Sequence, residues 1–326
     1  MLLLSRREVE ELLDLDALVE ALADSMADLS AGRASMPSRN AAFVRDHDAM
    51  LASMPAFLPT QQALMTKLVS LFPHNRDRPT HQAVICCFDP NDGTPIAMID
   101  GTYVTEARTA AGSVLASRYL ARGDAHVLSI IGTGVQGCAH ARAFRRRPGI
   151  DIMLIAGRDA AKAEALAERV RAGGMRAEAA ESIEDAVRAA DIVCACTHAD
   201  VPVVRRSWLR PGTHVNSVGY NRAGQGEVDA EVIRDAMVVV ESREAVLAPP
   251  PSGAVELHRA IGGGVVTANQ IHAEIGEIVS GAAGGRAGTE DITLYKSVGV
   301  AVQDVAAAAL ILGAATRTET GTQIDV

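Results

Sequence analysis

Residues 126–137 read HVLSIIGTGVQG, an apolar run that passes directly into a glycine-rich turn. The apolar run is typical of a buried strand, and the glycines form a GxGxxG pattern at the start of the next helical segment. In such a turn Gly132 permits the tight bend, Gly134 lets a pyrophosphate approach the backbone, and Gly137 lets the helix pack closely on the strand. The free N–H groups at the start of the helix face the phosphates. This stretch therefore predicts a dinucleotide-binding site.

The segments after the glycine-rich turn alternate between strand and helix, which strengthens that prediction. Strands are predicted over residues 150–156, 175–179, 192–197, 214–218 and 237–241, with helices over 135–147, 160–172 and 182–190. Strands separated by crossover helices of this length form a parallel, doubly wound sheet. A GxGxxG pattern alone is weak evidence, but one followed by several βα units predicts a Rossmann domain.

The end of the second strand, about 20 residues beyond the motif, is where an acidic residue would bind the ribose 2′-hydroxyl of NAD. This chain has Gly157-Arg158-Asp159 there. Arg158, with no acid at the strand end, suits the 2′-phosphate of NADP. Arg158 could equally stack on adenine, and Asp159 could reach the ribose. We expect both residues to contact the cofactor, and we expect NADP to be slightly preferred over NAD.

The residues before the Rossmann domain have a different hydrophobic pattern. Residues 9–29 have helical spacing of apolar positions, with a capping-box pattern beginning at Ser5 and a stop at Gly32. Residues 40–100 consist of short apolar runs, and the turn residues at 89–93 (DPNDG) predict a hairpin. The region is therefore expected to contain an antiparallel sheet.

Further helices are predicted over residues 105–122, 271–280 and 297–315. The last of these is nearly uncharged, and a helix that is apolar on all sides must be buried. We expect it to pack back against the N-terminal region. The predicted fold class is α/β, with a Rossmann domain (114–299) and a discontinuous α+β domain (1–113 with 300–326).

Composition excludes several classes of protein. The 326-residue chain is long enough for two domains. Its formal charge of −9, with one Trp, four Tyr and five Phe, leaves neither a basic surface nor stacking platforms for nucleic acid. No uncharged apolar run reaches the ~18 residues of a membrane-spanning helix. The five cysteines lack metal-ligand or disulfide spacing, so we expect reduced core thiols, no metal and a cytoplasmic protein.

Four further stretches resemble the ornithine cyclodeaminase and mu-crystallin family. They are residues 67–75 (KLVSLFPHN), 79–101 (PTHQAVICCFDPNDGTPIAMIDG), 105–122 (TEARTAAGSVLASRYLAR) and 295–304 (YKSVGVAVQD). With the glycine-rich turn, the resemblance spans nearly the whole chain. It implies NAD(H) or NADP(H) bound in the Rossmann domain, and an α+β domain that binds substrate and forms a homodimer. Members include ornithine and lysine cyclodeaminases, alanine and arginine dehydrogenases, and ketimine or cyclic imine reductases.

The resemblance implies a set of substrate-binding residues. Arg108 and Arg39 match family residues that bind the substrate carboxylate, a task suited to the planar guanidinium group. Lys67 matches the family lysine that touches substrate, and two neighbouring guanidinium groups would lower its pKa toward the range of a general acid or base. Val298 is also expected to contact the substrate. Each cation could instead be a surface charge or an ion-pair partner.

The resemblance also places residues along the cofactor. These are Thr80, Arg108, Val135, Gln136, Thr197, Val218, Gly219 and Ser297. Gln136 could instead cap the helix in which it lies. His81, next to Thr80, invites a catalytic interpretation, but we favour an inward-facing strand histidine that bonds to backbone.

Asn221 departs from the family pattern. Within residues 216–229 (NSVGYNRAGQGEVD) it stands where the cyclodeaminases carry an Asp that transfers a proton during deamination. An amide cannot accept that proton at neutral pH, but it can hydrogen-bond an amine or imine. We therefore place Asn221 beside Lys67 as a catalytic candidate and expect hydride transfer rather than deamination.

The expected activity is that of an NAD(P)-dependent oxidoreductase. It would transfer a hydride between nicotinamide and the α-carbon of a small amino acid or its imine, as a cyclic imine reductase or an alanine-type dehydrogenase does. The first alternative is an ornithine or lysine cyclodeaminase, an ammonia lyase in which NAD is recycled. The second is a non-catalytic, crystallin-like protein that binds NADPH. The sequence leaves open which amino acid or imine is used and in which direction.

Overall fold

The structure is a computed structural model that describes residues 1–219, 224, 226–249 and 252–325. It contains two compact units, Met1–Arg108 with Gly299–Val326, and Thr109–Val298. The sequence predicted boundaries at 113/114 and 299/300. The first boundary lies inside a continuous helix, where the hydrophobic pattern does not change, so no sequence signal marks it.

The elements are numbered in chain order. The strands are β1 (Leu2–Leu4), β2 (Asn40–Val44), β3 (Ala49–Leu58), β4 (Ala63–Leu71), β5 (His81–Phe88), β6 (Pro95–Asp100), β7 (Val127–Ile131), β8 (Ile152–Ala156), β9 (Arg176–Ala179), β10 (Ile192–Ala195), β11 (His214–Ser217), β12 (Met237–Val240), β13 (Ile271–Glu274), β14 (Thr293–Lys296) and β15 (Thr322–Gln323). The helices are α1 (Arg6–Leu12), α2 (Leu15–Ser30), α3 (Gly101–Leu120), α4 (Val135–Phe144), α5 (Ala160–Ala172), α6 (Ile183–Ala189), α7 (Ala230–Asp235), α8 (Arg243–Leu247), α9 (Val255–Gly262), α10 (Ile275–Val279) and α11 (Ala301–Thr318).

In the first unit, the described strands form one sheet in the order β15-β1-β6-β5-β4-β3-β2. Strands β2 to β6 are antiparallel neighbours, as predicted, and β1 joins β6 in parallel. The predicted hairpin turn is confirmed, because the Gly93 N–H donates to the Asp89 carbonyl at 2.9 Å. Helix α11 packs on α2 and on strands β3 and β4. The core of this unit therefore lies on one face of the sheet.

In the second unit, the described strands form a parallel sheet in the order β13-β12-β14-β11-β10-β7-β8-β9. The chain direction across the sheet reverses between β7 and β10, and such a point opens a crevice at the carboxyl ends of the strands. The predicted Rossmann domain is confirmed. Its glycine-rich turn follows β7, directly at that crevice.

Two helix predictions were wrong in their bounds. Residues 9–29 form two helices, because the Asp14 carboxylate caps α2 by accepting the N–H groups of Asp16 and Ala17 at 2.8 and 2.9 Å. The helix predicted from residue 297 begins only at Ala301. Gly299, with φ of +75°, lies in the left-handed region and separates strand β14 from α11.

Two strands of the parallel sheet, β13 and β14, were not predicted from the sequence. Strand β14 pairs with both β11 and β12 and so lies inside the sheet. Residues 271–280, predicted as one helix, begin as strand β13 and continue as the short helix α10. Both strands have four residues, and a short apolar run does not distinguish a buried strand from a buried helix by periodicity.

The cysteines are all free thiols. Cys87, Cys194 and Cys196 are buried, and burial raises the pKa of Cys87 to about 12. Cys86 and Cys138 are partly exposed, so the prediction that all five lie in the core was wrong for these two. In the described part of the chain, no helix has the length and hydropathy to cross a membrane. The same residues contain no cluster of His, Cys, Asp and Glu that could hold a metal ion.

Candidate active site

Three charged side chains that are far apart in sequence meet inside the first unit. Lys67 lies on β4 among inward-facing residues, and its Nζ is 2.8 Å from Oδ2 of Asp304 in the first turn of α11. The Nε of Arg108, on α3, is 3.3 Å from Oδ1 of the same aspartate. All three side chains are at most 6% exposed. Because buried charges are stable only when paired, Asp304 is what allows both cations to be buried.

Neighbouring polar groups complete this arrangement, which we call the cation cluster (Arg39, Lys67, Arg108 and Asp304). The Oε1 of Gln303 accepts a hydrogen bond from Nη1 of Arg108 at 3.1 Å. The Nζ of Lys67 donates to the Thr105 hydroxyl at 3.3 Å. The Nη2 of Arg39 donates to the Gly299 carbonyl at 2.7 Å. The structure thus brings the three predicted cations together in one unit.

The electrostatics of the cation cluster follow from its unequal charges. Burial, together with the positive charges of Arg108 and Arg39, lowers the pKa of Lys67 to about 8 against the opposing effect of Asp304. Burial and the cations Lys67 and Arg108 lower the pKa of His81 to about 4, so this imidazole is neutral at pH 7. Three cations against one carboxylate leave a net positive charge, which suits an anionic ligand such as a carboxylate. Lys67 can lose or gain a proton near neutral pH.

The glycine-rich turn of the second unit has the backbone geometry that its sequence predicted. Gly132 has φ of +114°, and a Cβ there would come within 2.6 Å of the Cys196 carbonyl. A Cβ at Gly137 would overlap the Gly132 carbonyl oxygen, so helix α4 packs closely on the turn. A Cβ at Gly134 would project into open space, which is the space a pyrophosphate needs.

Other residues near the turn also fit a dinucleotide. The side chain of Gln136 does not cap α4, and among the described residues its buried Oε1 has no hydrogen-bond partner. Val135 is 59% exposed at the start of that helix. Arg158 is exposed and makes no side-chain hydrogen bond or ion pair with any described residue. Asp159 caps α5, accepting the Lys162 N–H at 3.1 Å, a use of its carboxylate that the sequence analysis did not anticipate.

A buried carboxylate holds the loops that follow β10 and β11. Oε1 of Glu227 accepts the N–H of Thr197 at 2.5 Å and its hydroxyl at 2.9 Å. Oε2 accepts the N–H of Gly219 at 2.6 Å and the Ser217 hydroxyl at 3.0 Å. Burial raises the pKa of Glu227, against the opposing effect of Lys296 and of these N–H groups. Val218 lies between these contacts and donates its N–H to the Ala195 carbonyl at 3.1 Å.

Ion pairing continues beside Glu227, in what we call the carboxylate cluster (Glu227, Glu256 and Lys296). Nζ of Lys296 is 2.8 Å from Oε1 of Glu256 and donates to the Gly219 carbonyl at 3.2 Å. All three residues are at most 4% exposed. Two carboxylates against one ammonium give this cluster a net negative charge.

A second buried carboxylate engages the residues after β14. Glu241 accepts the Ser297 hydroxyl at 2.9 Å and the Val298 N–H at 2.8 Å. The Ser297 side chain is therefore bonded within the protein, and Val298 ends the second unit rather than joining the cation cluster's unit. Thr80 lies exposed in the first unit, where its carbonyl accepts the Phe72 N–H at 2.7 Å. Asn221 lies outside the described residues.

A sequence comparison now identifies the family. A model of the ornithine cyclodeaminase/mu-crystallin family matches residues 1–319. The chain belongs to this family. It is 36% identical over 314 residues to the ketimine reductase mu-crystallin of Mus musculus, covering 94% of this chain and 95% of that protein. The predicted resemblance is confirmed.

Solved structures support the same fold. The Δ1-pyrroline-2-carboxylate reductase of Thermococcus litoralis, in complex with NADH and L-proline, has a TM-score of 0.94 and 36% identity, with 99% of this chain and 100% of that chain covered. An archaeal alanine dehydrogenase dimer with bound NAD has a TM-score of 0.92 and 30% identity, with 100% and 99% covered. The predicted fold class is therefore confirmed over nearly the full length of this chain and of both relatives.

Asp304 and Glu227 were not predicted from the sequence, although each left a signal there. Asp304 is an acid in the first turn of a helix predicted to be buried, and a buried charge needs a partner. Glu227 is an acid close behind a strand end of the Rossmann domain. Neither signal names a partner, because the partners are 237 residues (304 minus 67) and 30 residues away.

Proposed function

We propose that this chain is a nicotinamide-dependent oxidoreductase that interconverts a small imino acid and its amino acid: C=N + NAD(P)H + H⁺ ⇌ CH–NH + NAD(P)⁺. The observation that carries the proposal is Lys67, a buried lysine with a pKa near 8 in a cluster of net positive charge. Such a cluster suits a substrate that has both a carboxylate and a nitrogen to be protonated. The relatives named ketimine reductase, pyrroline-2-carboxylate reductase and alanine dehydrogenase support this reaction class.

Each residue of the cation cluster has a separate task in this reaction. Arg108 and Arg39 bind the substrate carboxylate through charge-assisted hydrogen bonds. Lys67, as the ammonium, donates a proton to the imine nitrogen, and as the neutral amine it accepts that proton in the reverse direction. Asp304 holds the Lys67 Nζ and the Arg108 guanidinium in place. The cofactor, when bound, supplies or accepts the hydride at the α-carbon.

The residues of the second unit would hold the cofactor. Gly132, Gly134 and Gly137 form the turn for the pyrophosphate, and the N–H groups at the start of α4 would face it. Of the two cofactors we propose NADP, because Arg158 is an exposed cation without a described partner where the 2′-phosphate would lie. Arg158→Ala should weaken NADPH binding about 10- to 100-fold and spare NADH. Equal losses for both cofactors in fluorescence titrations would indicate stacking of Arg158 on adenine.

The activity test is a substrate panel read by two signals at once. Cyclic imino acids, 2-keto acids with ammonia, and basic amino acids are assayed by NAD(P)H absorbance and by ammonia release. Our proposal expects one nicotinamide consumed per product. Ammonia release from ornithine or lysine with catalytic cofactor and no net absorbance change would establish the cyclodeaminase alternative. Cofactor binding with no turnover of any substrate would establish the non-catalytic alternative.

A second copy of the chain is the partner that the first unit favours. Opposite the face that packs against α11, cross-strand neighbours Phe57, Leu64 and Phe88 share one row, and Leu68 and Val84 share another. On the same face Leu51 is 50% exposed and Met98 is 37% exposed. An apolar sheet face of this kind marks an interaction surface, and identical copies commonly cover it in twofold dimers. The alanine dehydrogenase relative is named as a dimer.

Sedimentation at micromolar concentration tests the assembly. The wild-type chain should sediment at twice its 34.1 kDa mass. Leu51→Glu should shift it toward monomer, because a charge on the exposed position harms only the covered state. Val201→Glu, at an apolar residue 55% exposed in the second unit, is the matched control. A wild-type monomer would refute the dimer.

A further inference from the structure

The side chain of Glu227 bonds to the loops after both β10 and β11. Its two oxygens accept four hydrogen bonds, two from backbone N–H groups and two from hydroxyl groups. Each oxygen accepts one backbone N–H, which a protonated carboxyl could not do equally well. The side chain is 1% exposed and has no access to solvent. Its two oxygens therefore hold the backbone at Thr197 and Gly219 and also bind the hydroxyl groups of Thr197 and Ser217.

The glycine-rich turn packs against one of the two loops that Glu227 holds. A Cβ at Gly132 would lie 2.6 Å from the Cys196 carbonyl and 3.1 Å from Cγ2 of Thr197, so the turn packs directly on this loop. A Cβ at Gly219 would overlap both the Thr197 carbonyl and the carboxyl of Glu227. The loops after β10 and β11 are thus closely packed around one carboxylate.

The strand order indicates which half of a dinucleotide would bind at these loops. The turn after β7 and the end of β8, with Arg158, belong to the half of the sheet that binds the adenosine side. Strands β10, β11 and β14 lie across the reversal point and form the other half, which binds the nicotinamide side. The loops held by Glu227 follow β10 and β11.

We propose that Glu227 is a positioning residue for the nicotinamide half of the cofactor, acting through the backbone at Thr197 and Gly219. Lys296 supports it by pairing with Glu256 and donating to the Gly219 carbonyl. The proposal rests on the proposed function, since it requires a nicotinamide cofactor.

Glu227→Gln is the discriminating variant. The amide keeps the size of the side chain but must present its NH₂ group to either the Thr197 or the Gly219 N–H, so one loop has to move. NADH and NADPH are titrated by fluorescence, and the tighter ligand is compared with its fragment that lacks nicotinamide, ADP-ribose or 2′-phospho-ADP-ribose. We expect at least about a tenfold loss for the whole cofactor, the size of one charge-assisted hydrogen bond, and less than about a threefold loss for the fragment.

Asp191→Asn is the matched control. Asp191 is also a buried carboxylate of the second unit, and its Oδ2 accepts two backbone N–H groups, those of His126 and Val127, at 3.0 Å each. It lies at the opposite end of strand β7 from the glycine-rich turn. This variant should lower thermal stability without changing either dissociation constant.

Five outcomes decide the inference. The predicted split between cofactor and fragment in Glu227→Gln supports it. If Glu227→Gln fails to fold, Ser217→Ala, which removes one hydrogen-bond donor to Glu227, replaces it, and the same but smaller split supports the inference. Equal losses for cofactor and fragment would show a general structural role and overturn it. Unchanged cofactor binding by Glu227→Gln would overturn it as well. Absence of NADH and NADPH binding by the wild-type protein would overturn both the inference and the proposed function.

Discussion

The two units bury clusters of opposite net charge. In the cation cluster of the first unit, Asp304 is shared between Lys67 and Arg108, with Arg39 nearby. In the carboxylate cluster of the second unit, Lys296 pairs with Glu256, and Glu227 is satisfied chiefly by backbone N–H and hydroxyl groups. In both clusters the lysine side chain is at most 2% exposed, and its Nζ lies 2.8 Å from a carboxylate oxygen.

The two clusters differ in the groups that balance their surplus charge. On our proposal, the surplus positive charge of the cation cluster binds the carboxylate of a substrate. The surplus negative charge of the carboxylate cluster is stabilised by hydrogen bonds that the N–H groups of Thr197 and Gly219 donate to Glu227. On our proposals, a buried ion pair therefore serves catalysis in one unit and backbone geometry in the other.

The largest effect expected from this comparison is on turnover. Lys67→Met keeps the volume of the side chain but removes the proton donor. It should lower kcat about 10²- to 10⁴-fold, the usual contribution of a positioned acid or base, while the dissociation constant of NAD(P)H stays near wild type. Steady-state kinetics and fluorescence titration measure the two. A parallel loss of cofactor affinity would mean that Lys67 is structural.

The equivalent substitution in the carboxylate cluster should lower the stability of the folded protein. Lys296→Met leaves Glu227 and Glu256 buried without a cation and should cost about 3–5 kcal/mol of unfolding free energy at pH 7, measured by urea denaturation. Burial already raises the pKa of Glu227, and loss of Lys296 should raise it further, so the deficit should shrink as pH falls toward 5. The double variant with Glu256→Gln should recover part of the loss. A pH-independent deficit would argue against carboxylate repulsion.

The smallest effect is a shift in pH dependence. Imine reduction requires protonated Lys67, so its kcat/KM should fall as pH rises through about 8, while amino-acid oxidation should rise through the same range. Asp304→Asn removes the group that raises this pKa, and both midpoints should move about one pH unit lower, equivalent to about 1.4 kcal/mol. Glu106→Gln, which removes a carboxylate of α3 paired with Arg6, is the control and should leave both midpoints in place.

The extent of sequence-based prediction differed between the glycine-rich turn and the cation cluster. The glycine-rich turn was predictable from twelve consecutive residues, because the backbone demands of Gly132, Gly134 and Gly137 are local. Lys67, Arg108 and Arg39 were assigned only through resemblance to a family. The partners of Lys67 and Arg108, which are Asp304 and Gln303, lie on a helix near the other end of the chain.

By itself the sequence determined the family, the parallel sheet with its glycine-rich turn, and the antiparallel sheet, since hydrophobic period and glycine placement are properties of neighbouring residues. Only the tertiary structure decided which charges meet. Asp304 faces Lys67 because α11 packs on β4, and Glu227 spans Thr197 and Gly219 because β10 and β11 are adjacent in the sheet. Pairing of buried charges depends on distances in space, and these follow from packing between segments whose separation in sequence carries no information about their contact.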